Sequence, residues 1–180
     1  MCSSDLYLEK EDFTTTSSFV CASAEQSIAV YSWLESSSDA DYYRIRITTP
    51  TLLYAGVIVP VFEQYSEFRP QFALVGPGLP PTKKPIPMEI EPKSGVQVLQ
   101  DDGKRPRKQF YEPFGNKSYY QGPEVSTLLQ PGEYTLVYWD PEVNGFRRKT
   151  ANPGTATVHR SNGVSPRFVV LHAAGACRLF

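Results

Sequence analysis

The chain has 180 residues, 41% of them hydrophobic and 21% charged, with 19 acidic and 18 basic side chains. That length supports one domain with a sizeable core, and that composition excludes a globally disordered chain. Sixteen prolines and twelve glycines interrupt the sequence too often for long helices. Together with a 13% aromatic content they predict short strands joined by turns.

The formal net charge of −1 conceals an asymmetry: residues 1–145 carry all 19 acidic and 12 basic side chains, whereas residues 146–180 carry six basic and no acidic ones. The basic residues are scattered and not interleaved with aromatics, so nucleic acid is not an expected partner. Cys2, Cys21 and Cys177 form no CxxC spacing, and no disulfide framework or zinc site is readable. A Cys21–Cys177 bridge and free thiols both stay open. Residues 1–6 lack the basic and apolar regions of a signal peptide, and no apolar run reaches the ~18 residues of a membrane span.

In chain order, residues 1–24 are polar and rich in Ser and Thr, and read as a loose lead-in. Ser27–Glu35 reads as a strand with Ile28, Val30, Ser32 and Leu34 on one face. After the turn at Asp39–Asp41, the run 42–48 alternates: Tyr43, Ile45 and Ile47 face the core, and Tyr42, Arg44 and Arg46 face water. Pro50 ends that strand, and Leu52–Val59 is continuously apolar, which predicts a central strand with a bulge or close approach at Gly56. Residues 63–70 read as a polar connection with one helical turn, and Gln71–Val75 as a short strand. Residues 76–81 are irregular. Met88–Ile90 and Val96–Leu99 read as an edge hairpin, and residues 101–123 as a long aromatic loop. Glu124–Leu129 and Glu133–Trp139 are expected to pair across Gln130-Pro131-Gly132. The expected core is Ile28, Val30, Leu34, Tyr43, Ile45, Ile47, Leu53, Val57, Val59, Phe72, Leu74, Leu136 and Tyr138.

The segment Ser38-Asp39-Ala40-Asp41-Tyr42-Tyr43-Arg44-Ile45 resembles the Asp-x-Asp-Tyr-Tyr-Arg-Phe signature of bacterial pre-peptidase C-terminal domains. Leu129-Gln130-Pro131-Gly132-Glu133-Tyr134-Thr135-Leu136 is similar to their late Leu-x-Pro-Gly-x-Tyr-x-Leu element, and 27–34 to their first strand. The stretches 72–80, 110–114 and 119–124 resemble a related group of uncharacterised envelope or secreted proteins. The resemblance implies an all-β chain: a single β-sandwich, jelly-roll-like, over 25–145, followed by a basic tail at 146–180. It also implies a non-enzymatic binding or structural role in the envelope or outside the cell, with a protein or glycan partner at a cell surface. Two readings of the tail stay open: a final strand at Arg167–Leu171, or a non-native extension from an altered reading frame or splice event.

Candidate sites are few. Asp39 and Asp41, beside Ser36–Ser38, offer hard oxygens to Ca²⁺, the one cofactor considered; the plainer alternative is that they cap the turn by bonding backbone amides. Tyr111, Glu112, Asn116, Tyr119, Tyr120 and Gln121 combine aromatic rings with a carboxylate and amides, as a shallow sugar site would. The alternative is that Phe110, Tyr111, Phe114 and Tyr119 cover the open end of the core. Asn116-Lys117-Ser118 is an N-glycosylation sequon. The two histidines, His159 and His172, lie in the tail, and no GxSxG, HExxH or P-loop is present. Catalysis is therefore not expected. A glycosidase reading would need a pair such as Glu112 and Glu124 about 5–9.5 Å apart.

Overall fold

The computed structural model describes residues 4–21, 24, 27–34, 36–112, 116–142 and 167–173. The described residues form an all-β sandwich of two sheets. The first holds β1 (Ser4–Leu8), β3 (Ser27–Ser32), β11 (Arg167–Ala173), β5 (Thr51–Pro60), β9 (Lys117–Leu129) and β8 (Gln109–Glu112), in the order β1-β3-β11-β5-β9-β8. The second holds β2 (Phe19–Cys21), β4 (Ala40–Ile47), β10 (Gly132–Trp139), β6 (Gln71–Pro77) and β7 (Ser94–Leu99), in the order β2-β4-β10-β6-β7. Without β1, β2 and β8, the remaining eight strands follow the order of a jelly roll, with successive strands alternating between sheets at nearly every step.

Strand alternation builds the core. Tyr43, Ile45 and Ile47 of β4, Leu53, Val57 and Val59 of β5, Phe72 and Leu74 of β6, and Leu136 and Tyr138 of β10 meet between the sheets with Ile28, Val30 and Leu34. All thirteen side chains expected in the core are buried there. The Tyr138 ring stacks on Phe72 at 5.0 Å and meets Tyr43 edge-on at 5.3 Å.

Part of the second sheet is covered on both faces, while Arg44 and Arg46 of β4 stay exposed. Ala40, Tyr42, Ala73, Val75, Val96, Val137 and Trp139 form an outer cluster under Ile86 and Met88. The proline-rich segment is thus a lid on the sheet, and β6 reads as an unbroken apolar run because neither of its faces meets water. Tyr42, expected to face water, is buried for the same reason, and its hydroxyl donates to the Pro87 carbonyl. Met88–Ile90 forms no strand; β7 pairs instead with β6.

Several connections differ from the sequence reading. Residues 4–21, expected as a loose lead-in, supply two edge strands: β1 pairs in parallel with β3, and β2 in parallel with β4. Phe13 and Phe19 pack on the core, and this burial is what orders the segment. The 101–123 loop is in large part the β8–β9 hairpin. β9 and β10 do not pair across Gln130-Pro131-Gly132: β9 pairs with β5 and β8, and β10 with β4 and β6, so that turn carries the chain between sheets. The expected irregularity at Gly56 is present, since the β5–β9 register shifts between Gly56 and Ile58. Its extra residue lies on β9, where a Cβ on Gly122 would come within 2.9 Å of the Val57 carbonyl oxygen.

Of the two readings of the tail, the one with a strand at Arg167–Leu171 matches β11, which lies between β3 and β5. Cys2, Cys177, Phe114, His159 and the rest of the basic tail lie outside the described residues.

Gly76 abuts the Tyr134 ring, and a Cβ there would lie 2.3 Å from Tyr134 Cδ1. The Tyr134 hydroxyl donates to the carbonyls of Pro77 and Gln130, both at 3.1 Å, so the ring has little room to yield. Gly76→Ala is therefore expected to cost about 1–3 kcal/mol, read as a lower urea midpoint at unchanged m-value.

Candidate functional site

The chain leaves β1, crosses from the first sheet to the second, and enters β2. The crossing is tied at both ends: the Glu9 N–H donates to the Tyr31 carbonyl at 2.8 Å, and the Tyr42 N–H to the Phe13 carbonyl at 2.8 Å. Phe13 and Phe19 sit 5.5 and 5.9 Å from the Tyr43 ring, pinning the strap against the mouth of the core. This closure brings Glu9 and Asp12 to Asp41, and one carboxylate oxygen of each lies within 4.8 Å of the others.

Asp41 has 0% of its surface exposed, and neither carboxylate oxygen makes a well-formed hydrogen bond, although the Ser32 side chain stands beside it as a donor. Its position follows from alternation. Asp41 is two residues before Tyr43, in phase with Tyr43, Ile45 and Ile47, so the period that buries them buries it. Glu9 is also buried, and its Oε2 accepts the Trp33 N–H at 2.8 Å. Burial pushes the Glu9 carboxyl up to about 7, against the pull of the Trp33 N–H. Burial first, and the Glu9 carboxylate second, push Asp41 up to about 9. Two buried acids this close cannot both hold charge without a cation or a shared proton.

Of the two sequence-predicted metal ligands, only Asp41 belongs to this cluster. Asp39 is half-buried beside it, and its backbone N–H closes the turn onto the Ser36 carbonyl at 3.1 Å. Glu9 and Asp12 were not singled out in the sequence because they lie some thirty residues upstream, in a segment without strand-like alternation.

The six loop residues do not converge on one surface. In the β8–β9 ladder Phe110 pairs with Tyr119, Tyr111 with Ser118, and Gln109 with Tyr120. Alternation sends Glu112, Tyr119 and Gln121 to one face, and Tyr111 and Tyr120 to the other. Tyr119 is buried with Ile58, beside Tyr31 and Phe110, in a cluster separate from the core, so it does not cover the core's open end; Tyr120 is the ring of this group that packs on the core. Burial pushes its hydroxyl up to about 12. Tyr120 lies under the Arg107 guanidinium, whose carbon is 4.4 Å from the ring centre. Tyr111 is exposed, and its hydroxyl donates to Asn116 Oδ1. Asn116 is exposed with φ of +52°, so the sequon lies on an accessible turn.

Glu124 accepts from the Tyr54 hydroxyl at 2.7 Å and from Gln121 Nε2 at 2.9 Å. Glu112 pairs with Lys117, and Glu124 lies seven residues further along the same strand. At the rise of a strand this separates the two by roughly 20 Å, well beyond the glycosidase range of about 5–9.5 Å. Glu9 and Asp41, which do lie close together, are both buried. Cys21 is a buried free thiol, pushed up to about 12 by burial, and is not a nucleophile at neutral pH.

No protein-family model matches the chain, and no curated protein is detectably similar to it in sequence. Among the described residues no helix is long and apolar enough to cross a membrane.

The acid cluster fixes a pH dependence. Glu9 and Asp41 bind protons more tightly in the folded chain than in the unfolded one, where carboxyl groups titrate near about 4. In calcium-free buffer, stability should be highest below that range and fall as pH rises through about 7 and about 9. Asp41→Asn should flatten this slope in urea titrations across pH; an unchanged slope would place the responsible groups elsewhere.

Proposed function

We propose that this chain is a non-enzymatic binding or structural domain of an envelope or extracellular protein, its N-terminal strap clamped by Ca²⁺ at Glu9, Asp12 and Asp41. The observation that carries the reading is Asp41: a carboxylate sealed from water, with no well-formed hydrogen bond on either oxygen and only the Ser32 side chain beside it as a donor, facing two further carboxylates. An all-oxygen, acidic donor set suits a hard cation, and excludes the nitrogen and sulfur ligation that zinc or copper prefers. Three carboxylates are fewer oxygens than Ca²⁺ takes, so backbone carbonyls or water complete the shell. Extracellular modules hold Ca²⁺ at about 10⁻⁴–10⁻³ M, the range outside cells, which agrees with the envelope or extracellular setting implied by the resemblance. The cation acts by position: it ties the strap to β4 and neutralises charge that would otherwise open that edge.

The carbohydrate-processing alternative loses support from the separation of Glu112 and Glu124. The burial of Glu9 and Asp41 argues against it as well.

The test is thermal melting with EDTA and with added Ca²⁺. A ligand bound only by the folded chain at 100 times its Kd adds about 2.7 kcal/mol, so Ca²⁺ should raise the melting temperature by several degrees and EDTA should reverse it. Asp41→Asn should abolish the response while leaving a cooperative melt. A Ca²⁺ response that persists in Asp41→Asn, or none in the unaltered chain, would reject the clamp.

A further inference from the structure

The opposite edge of the sandwich is closed by a second crossing. Residues 100–108 run from β7 in one sheet to β8 in the other and border a cleft of about 460 Å³, lined by Arg69, Asp101, Lys104, Arg107, Lys108 and Gln121 among others. That volume lies within the range of small-molecule sites.

Arg107 is buried. Its Nη1 donates to the carbonyls of Phe68, Tyr65 and Ser66 at 2.8, 3.2 and 3.3 Å, and its guanidinium lies over the Tyr120 ring. These contacts fix the plane of the group, yet its Nε and Nη2 are buried without a partner. Arg69 repeats the pattern: its Nη1 pairs with Asp101, while its Nε and Nη2 are buried and unpartnered. In both arginines the unsatisfied edge is the Nε/Nη2 fork, the geometry that receives a carboxylate or sulfate through two parallel hydrogen bonds. Leaving four buried donors without acceptors is costly. Asp101 is further engaged by the Gly103 N–H at 2.8 Å, and Asp102 near Arg69 and Glu67 near Arg107 add negative charge without hydrogen-bonding either open fork.

Resting on the reading of the chain as a surface binding domain, we infer that this cleft binds an acidic sugar. Its oxyanion, a carboxylate or a sulfate ester, is held by the forks of Arg69 and Arg107. The rest of the lining is polar, with Lys108, Lys104 paired to Asp102, and Gln121 bonded to Glu124, a surface better matched to sugar hydroxyls than to an apolar ligand.

The test titrates the full chain with glucuronate, glucose 6-sulfate, neutral glucose and N-acetylaspartate at constant ionic strength. The readouts are melting temperature and the amide NMR shifts of Gly103 and Gly122. Either acidic sugar should give saturable shifts centred on those amides, and glucose none; the glucuronate and sulfate arms identify the anion. Arg69→Lys keeps the charge beside Asp101 but removes the fork, and should weaken binding roughly ten- to hundredfold while the unliganded variant still melts cooperatively. Should that variant fail to fold, the mapping of shifts on the unaltered chain still decides. No response to either acidic sugar, shifts centred elsewhere, equal binding by Arg69→Lys, or an equal response to N-acetylaspartate would overturn the assignment. A surviving Ca²⁺ response would then confine the failure to the cleft; loss of both responses would remove the binding-domain reading as well.

Discussion

The inward phase of β4 is the constraint around which the N-terminal half is arranged. A strand cannot bury Tyr43, Ile45 and Ile47 without burying Asp41, and a one-residue slip would turn all four outward. The carboxylate is therefore carried into the sandwich by the same alternation that makes the core. The strap at 9–13 is then more than a covering: it brings Glu9 to the buried acid, takes a hydrogen bond from Trp33, and seals the site with Phe13. Fold and electrostatics pull in opposite directions here, and a bound cation or a retained proton reconciles them.

The two open sides of the sandwich are closed by the same device with opposite charge. On one side a chain crossing between sheets buries carboxylates; on the other a crossing between sheets buries guanidiniums. Each crossing is held by backbone groups, the Tyr31 and Phe13 carbonyls at the first and the Tyr65, Ser66 and Phe68 carbonyls around Arg107 at the second.

The sheets were legible in the sequence wherever one face alternates or a run is apolar throughout, as in β4, β5, β6 and β10. The pairing of those strands was less legible. Glu124–Leu129 and Glu133–Trp139 look like a hairpin because their turn is compact, but a jelly roll uses such a turn to change sheets. β1 and β2 escaped notice because edge strands are held by main-chain bonds, which leave little trace in side-chain pattern. Of the acid cluster, the phase of Asp41 was readable, but its partners are set by a long-range crossing. Arg107 gave no sign at all: it stands in a proline-rich polar stretch, and the carbonyls that hold it lie about forty residues upstream.

The place of β11 bears on how the chain reaches this state. It lies between β3 and β5, hydrogen-bonded to both, yet follows β3 by more than a hundred residues. At translation rates of about 5–20 residues per second, β3 and β5 wait on the order of 10 s for the strand that joins them. During that wait each offers an unpaired ladder to any neighbouring chain. Contacts of such sequence separation are slow to form because loop closure precedes their reward. Nascent chains of this protein are thus exposed to strand exchange with one another at the β3 and β5 edges, and assistance from a chaperone that masks extended segments would act at that stage.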